Sequence, residues 1–125
     1  STLVRVPAAQ HNDCRIGVRS PDPSCNPYFT ILLLLEAGME GIQNKMALPD
    51  SFDLDASRVE GNGFSRLPAN LGDALKLMGS SPFIRRALPQ NLIEKYIHYK
   101  QLEFTQYEHA QDQGNYELER YFPLI

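Results

Sequence analysis

Five consecutive apolar residues, Ile31-Leu-Leu-Leu-Leu35, constrain this chain more than any other feature. They follow Asn26-Pro27, a capping side chain and then proline at the first helical position, which is a strong helix start. The pattern predicts a helix from Pro27 to about Lys45. In its middle it is apolar on every side, which calls for burial all round rather than a surface position. At 125 residues the chain is one domain's worth, enough to bury roughly two-thirds of its unfolded surface. Apart from one small hairpin it holds little to cover such a helix. The mismatch points to oligomer contacts or to partner segments elsewhere in a longer protein. The chain also begins abruptly, already strand-like, as either a natural protein or a fragment would.

Upstream of that helix the periodicity is two. Cys14, Ile16 and Val18 alternate with Arg15, Gly17 and Arg19, so this stretch reads as a strand. Arg15 and Arg19 then share a face, roughly 13 Å apart at about 3.3 Å per residue, with Gly17 between them. Residues 2–6 form an earlier strand, with Leu3 and Arg5 on one face and Thr2, Val4 and Val6 on the other. Pro7 ends it, and a polar loop makes the two strands an antiparallel hairpin. Guanidinium forks suit phosphate and carboxylate better than a core. Arg5, Arg15 and Arg19 on one sheet face would stabilise the charge of a transferring phosphoryl group and orient a carboxylate.

Beyond the first helix, residues 46–69 show no sustained periodicity and carry Pro49, Pro68 and Gly61-Asn62-Gly63. A structureless connection of that length is expected to wrap a surface, border a site or contact another subunit. Asn70 caps a short helix through Leu71, Ala74, Leu75 and Met78. Prolines 82 and 89 bracket a segment with Arg85 and Arg86. A long helix after Pro89 carries Leu92, Ile93, Tyr96, Ile97, Lys100, Phe104 and Tyr107 at three- and four-residue spacing. Asn115 is read as the cap of a last helix, from Tyr116 to Phe122. The fold class is therefore α+β: a two-stranded antiparallel piece of a larger sheet, then several packing helices.

Twelve basic and fifteen acidic residues give a formal charge of −3, a poor balance for a general nucleic-acid binder. The longest apolar run is too short to cross a bilayer, and no signal peptide is apparent, so the cytoplasm is the default. Cys14 and Cys25 have no metal-site spacing and read as small apolar thiols. Gly61-Asn62-Gly63 lacks the remainder of a phosphate-binding loop and reads as a turn. His98 and His109 have no partner at four-residue spacing, and Glu36 with Glu40 reads as a solvated helix end rather than a metal pair.

The surviving motifs resemble the C-terminal part of the glutamine synthetase catalytic domain. The family pattern Ser-x-x-x-Arg-Ile/Val-Pro appears as Ser1-Thr-Leu-Val-Arg5-Val-Pro7. Its Arg-x-Glu-x-Arg-x-Pro-Asp block appears as Arg15-Ile-Gly17-Val-Arg19-Ser-Pro21-Asp22, followed by Asn26-Pro27-Tyr28. The helix ends Ala37-Gly38-Met-Glu-Gly41-Ile42. Leu67-Pro68, Leu71, Ala74-Leu75, Tyr96-Ile97, Lys100, Glu103 and a final Glu117-x-x-x-Tyr121 match the family's tail. The likeness covers essentially residues 1–125 and implies that the N-terminal β-grasp domain and the first half of the catalytic domain lie outside this chain.

The resemblance implies ATP-dependent amidation of the glutamate side-chain carboxylate with ammonia, through γ-glutamyl phosphate, in a cytoplasmic homo-oligomer using Mg2+ or Mn2+. By motif position Arg19 would hold the carboxylate, and Arg5 and Arg15 would meet the nucleotide phosphates. This segment by itself is expected to be inactive. The family's metal-ligating glutamate between the two strand arginines is Gly17 here, which implies weakened metal binding. Two alternatives follow: a catalytically impaired homologue with a structural or regulatory role, and a ligase joining glutamate to a polyamine or another amine. The position of a modifiable tyrosine in some bacterial members is Phe52, so adenylylation is not expected there. No nucleic acid or membrane partner is implied.

Overall fold

The structure, a computed structural model, describes residues 3–7, 15–48 and 66–124. Cys14, the loop before it, Phe52 and the Gly61-Asn62-Gly63 turn lie outside the described residues.

Two short strands, β1 (Val4–Arg5) and β2 (Gly17–Val18), pair antiparallel with Val4 opposite Val18 and Arg5 opposite Gly17. Both are shorter than the alternation predicts. The pairing continues one step further, where the Arg19 N–H donates to the Leu3 carbonyl at 2.9 Å.

Helix α1 (Pro27–Gln43) starts where the sequence places it. The Asn26 side chain accepts from the N–H groups of Tyr28 at 3.0 Å and Phe29 at 3.3 Å, satisfying donors that the first turn leaves open. It ends two residues before the expected Lys45, because Lys45 takes a left-handed φ of 49°. There the Lys45 N–H bonds the Ile42 carbonyl and the Met46 N–H bonds the Gly41 carbonyl. That pair of bonds closes the helix as a Schellman turn, with a lysine where glycine is usual.

Helices α2 (Leu71–Ser80), α3 (Pro82–Ala87), α4 (Gln90–His109) and α5 (Gln113–Tyr121) follow, and a 3-10 turn covers Phe122–Leu124. Asn70 caps α2 by accepting from the Asp73 N–H at 2.8 Å, and Ser81 caps α3 by accepting from the Ile84 N–H at 3.3 Å. The expected cap of α5 is corrected. Asp112, not Asn115, accepts from the N–H of Asn115 at 3.0 Å, so Asn115 lies inside the first turn and its side chain donates to Glu119. Both residue types cap well, and the earlier one captures the chain as it leaves α4.

The core sits between α2 and α4, where Leu75, Leu88 and Ile93 are each 3–4% exposed. Gly72 lets α2 come close to α4. A Cβ there would lie 2.5 Å from the Phe104 ring. Tyr107 meets Tyr116 edge-on at 6.2 Å, folding α5 back on α4, and Phe29 meets Tyr96 edge-on at 5.3 Å, joining α1 to α4. The aromatic stripe of α4 is packing, as its spacing predicts.

Full burial of α1 is not observed. None of its residues is buried, and Ile31, Leu35 and Ile42 are 58%, 63% and 73% exposed. Its contacts here are with α3, reinforced by an Arg86–Glu40 ion pair at 2.9 Å, and with Tyr96 of α4. The rest of its apolar surface faces outward, because the elements of this chain gather around α4 instead.

Candidate functional site

The strand register decides which way the arginines face. Arg5 is paired with Gly17, and a Cβ built on Gly17 would lie 3.9 Å from the Arg5 Cβ, so the two positions share a sheet face. Arg19 stands two residues after Gly17 and opposite Leu3, which puts it on that face too. Arg15 precedes Gly17 by two, just outside the paired segment, and continues the same alternation. Leu3, Arg5, Arg15, Gly17 and Arg19 are all exposed. The anticipated grouping of Arg5 and Arg19 around Gly17 thus exists, as an open face rather than a closed pocket.

Gly17 is not forced by packing. The nearest atoms to a Cβ there, both of Arg5, are at ordinary van der Waals distance. A larger side chain fits at this point of the strand.

Directly after Arg19 the chain makes a tight turn. The Asp22 Oδ1 accepts from the Ser24 N–H at 2.8 Å and from the Ser24 hydroxyl at 2.5 Å, and the Cys25 N–H donates to the Asp22 carbonyl at 3.0 Å. The Ser24 hydroxyl, then the Ser24 N–H, hold the Asp22 carboxyl below the usual carboxylate range. Desolvation opposes them, and the Lys100 ammonium adds the smallest of the four effects. Residues 22–26 therefore fix the path from Arg19 to the capped start of α1. Asp-Pro-Ser is a recognisable turn signal.

A second polar cluster was legible as residues but not as a cluster. The Glu103 side chain on α4 is only 9% exposed. It accepts from Lys100 Nζ at 3.1 Å on each carboxylate oxygen, from Arg120 at 3.5 Å and from the Tyr121 hydroxyl. The Tyr116 hydroxyl donates to the Glu103 carbonyl at 3.4 Å, and Lys100 Nζ lies 5.5 Å from the centre of the Tyr121 ring. The spacing Lys100-x-x-Glu103 is the one signal in the sequence for this arrangement.

Two cavities flank α1. One of about 290 Å³ lies between α1 and α3 and includes Glu36, Glu40 and Arg86. The other, of about 430 Å³, is apolar and lined by Phe29, Leu33, Leu77, Ile84 and Tyr96. Neither is lined by Arg5, Arg15 or Arg19. Glu40 pairs with Arg86 at 2.9 Å. Exposed His109 donates from Nδ1 to the Thr105 carbonyl at 2.7 Å, and His98 is exposed. Cys25 is a half-buried free thiol that accepts from the Thr30 hydroxyl at 3.3 Å.

Divalent metals of the Mg2+ class want several oxygen ligands. Among the described residues no group of three or more His, Cys, Asp or Glu side chains is placed to hold a metal ion. The arginine face offers cations and Gly17 instead, so the described part of this chain does not supply a site for the Mg2+ or Mn2+ that the resemblance implies. No helix among the described residues is long and apolar enough to cross a membrane.

A two-stranded antiparallel pair carrying arginines, joined through Asn26-Pro27-Tyr28 to an apolar helix and followed by packed helices, is a piece of an α+β domain. The sequence comparison agrees: the family model for the glutamine synthetase catalytic domain matches residues 1–121, and the chain belongs to that family. It is 36% identical over 130 aligned residues to the glutamine synthetase of Methanosarcina mazei, covering 100% of this chain and 29% of that protein. The Halobacterium salinarum glutamine synthetase is 33% identical over 97% of the chain and 27% of its own length. That of Staphylococcus aureus is 36% identical over 86% of the chain and 25% of its own length. The chain thus spans less than a third of the curated relatives it matches.

Proposed function

We propose that this chain is the C-terminal portion of a glutamine synthetase-like catalytic domain, and that its arginine face serves ATP-dependent amidation of glutamate. In this reading Arg5 and Arg15 meet the nucleotide phosphates and Arg19 holds the side-chain carboxylate. A carboxylate oxygen attacks the γ-phosphorus and ADP leaves; ammonia then attacks the acyl carbon and inorganic phosphate leaves. Both partners of the first step are anions, and guanidinium forks offset their repulsion while fixing their approach. The register that sets Arg5 across from Gly17, with Arg19 on the same face, is the observation that carries the reading. Any divalent metal would draw its ligands from outside the described residues, in a cytoplasmic homo-oligomer whose other segments cover α1. This segment alone is inactive in that reading.

The test is made in the complete protein that carries this chain, by following phosphate release that depends on glutamate and ammonia. Arg19→Ala is expected to raise the KM for glutamate about 10- to 100-fold, the effect of losing a charge-assisted bond worth about 1.5–3 kcal/mol. An unchanged KM rejects the role of Arg19.

A second reading, a catalytically impaired homologue with a structural or regulatory role, is favoured by one observation. Gly17 leaves the face without a carboxylate although a side chain would fit. Turnover by the natural protein rejects it, whereas activity gained only on Gly17→Glu supports it. Screening polyamines and monoamines against ammonia separates a γ-glutamyl-amine ligase from both.

A further inference from the structure

Arg19 stands one residue past β2, a strand of only two residues. Its N–H donates to the Leu3 carbonyl at 2.9 Å, which anchors its backbone on the strand side. An exposed arginine at the end of so short a strand needs a second anchor, because loosely held backbone must be ordered whenever a ligand is gripped.

The turn supplies it. Asp22 Oδ1 accepts from the Ser24 N–H at 2.8 Å and from the Ser24 hydroxyl at 2.5 Å, while the Asp22 carbonyl accepts from the Cys25 N–H at 3.0 Å. Asp22 and Ser24 are both exposed, so these bonds rather than burial hold the turn. Between Arg19 and Asp22 lie only Ser20 and Pro21, and the proline ring fixes one of the few backbone angles left free. Beyond the turn the hold passes to α1. The Thr30 hydroxyl lies within hydrogen-bond distance of Cys25 Sγ, at 3.3 Å, and of the Asn26 carbonyl, at 3.0 Å, and the Asn26 side chain caps the helix. Local bonds thus lead from the residue after Pro21 into the first turn of α1. Arg5, paired with Gly17, and Arg15, on the other side of Gly17, do not depend on this turn.

We infer that Asp22 is a positioning residue: by clamping Ser24 it locks the turn between β2 and α1 and so fixes where Arg19 presents its guanidinium. The inference rests on the functional reading for what Arg19 grips; the clamp itself stands on hydrogen bonds within this chain. It separates the arginines into two groups, Arg5 and Arg15 held by the strands and Arg19 held by the turn.

Steady-state kinetics of the complete protein test it, comparing Asp22→Ala and Asp22→Asn with the parent. Asp22→Ala is expected to raise the KM for glutamate about 5- to 20-fold and to leave that for ATP within about twofold, the scale set by two bonds to a charged acceptor. Asparagine keeps an oxygen that accepts from Ser24, so Asp22→Asn is expected to recover most of the loss. In an Arg19→Ala background Asp22→Ala is expected to add less than about twofold, since a residue acting through Arg19 has nothing left to act on. An unchanged glutamate KM in Asp22→Ala overturns the inference. So does an equal rise in both KM values, or a full further rise in the Arg19→Ala background. If the natural protein does not turn over, or Arg19→Ala by itself leaves the glutamate KM unchanged, the functional reading fails and amide exchange decides the clamp. There Asp22→Ala is expected to speed exchange at Arg19 and Cys25 about fivefold while α2 stays within about twofold, and equal rates at all of these sites reject it.

Discussion

The two halves of this molecule solve the burial problem differently. In the α2–α4–α5 unit, Leu75, Leu88 and Ile93 are almost wholly covered, and the one buried charge, Glu103, is surrounded by donors. In the β1–β2–α1 half no residue of α1 is buried, although its sequence is the more apolar by far. Hydrophobicity alone therefore does not say where a core forms. A helix is buried only when neighbours close over it, and the elements of this chain close over α4. The same half carries the arginines, so the apolar helix and the charged sheet face that follow one another in sequence are both exposed to partners from outside the unit.

The sharpest way to break this contrast is a matched pair of truncations. Ile93→Ala is expected to cost about 2–5 kcal/mol by leaving a cavity in the core. Ile31→Ala in α1 is expected to stay within about 0.5 kcal/mol when this chain is studied by itself. Urea denaturation of the two variants measures both, and equal costs would erase the distinction. In the complete protein the Ile31→Ala cost is expected to rise toward the core value if other segments cover α1.

Next in size is Gly72→Ala. Its methyl group would press on the Phe104 ring at 2.5 Å, and overpacking of this kind costs about 1–3 kcal/mol. A smaller loss would mean that the ring swings aside and that α2 and α4 are held less tightly than their contact suggests.

A gain is expected from Lys45→Gly. Relieving the left-handed lysine that closes α1 is worth about 1 kcal/mol. It is read as a rise in the denaturation midpoint, and a fall would show that the Lys45 side chain makes a compensating contact.

The smallest effect is acid dependence at the turn. The Asp22 carboxyl is held low by Ser24, so its folded value lies below its unfolded one. Its contribution is present above about pH 4, the ordinary aspartate range, and is lost as pH falls through the lowered folded value. Carboxyl NMR titration checks the direction. In Ser24→Ala the Asp22 value is expected to move up, since the first of its causes is gone.

Much of this was readable before any coordinate. Asn26-Pro27 fixed the start of α1 because a capping oxygen and a preset φ act within a few residues. Asn70 and the prolines at 82 and 89 marked helix ends for equally local reasons. The two-residue alternation set Arg5 and Arg19 on one face, and the register keeps them there. What failed was competition between similar local signals. Asp112 and Asn115 are both good caps three residues apart, and only the path of the chain leaving α4 chooses Asp112. The roles of Glu103, Lys100 and Tyr121 were illegible because residues 18 positions apart become partners only once α5 folds back.

The amino-acid order by itself determined the helix starts, the strand alternation, the family and the candidate anion-binding arginines, since each depends on neighbours within a turn or a pleat or on a motif kept in line. Tertiary structure alone decided that α4 rather than the more apolar α1 becomes the covered helix. It also decided that Lys100, Arg120 and Tyr121 gather around one buried carboxylate, Glu103. Both outcomes depend on which surfaces meet, and contact between distant segments has no signature in local periodicity.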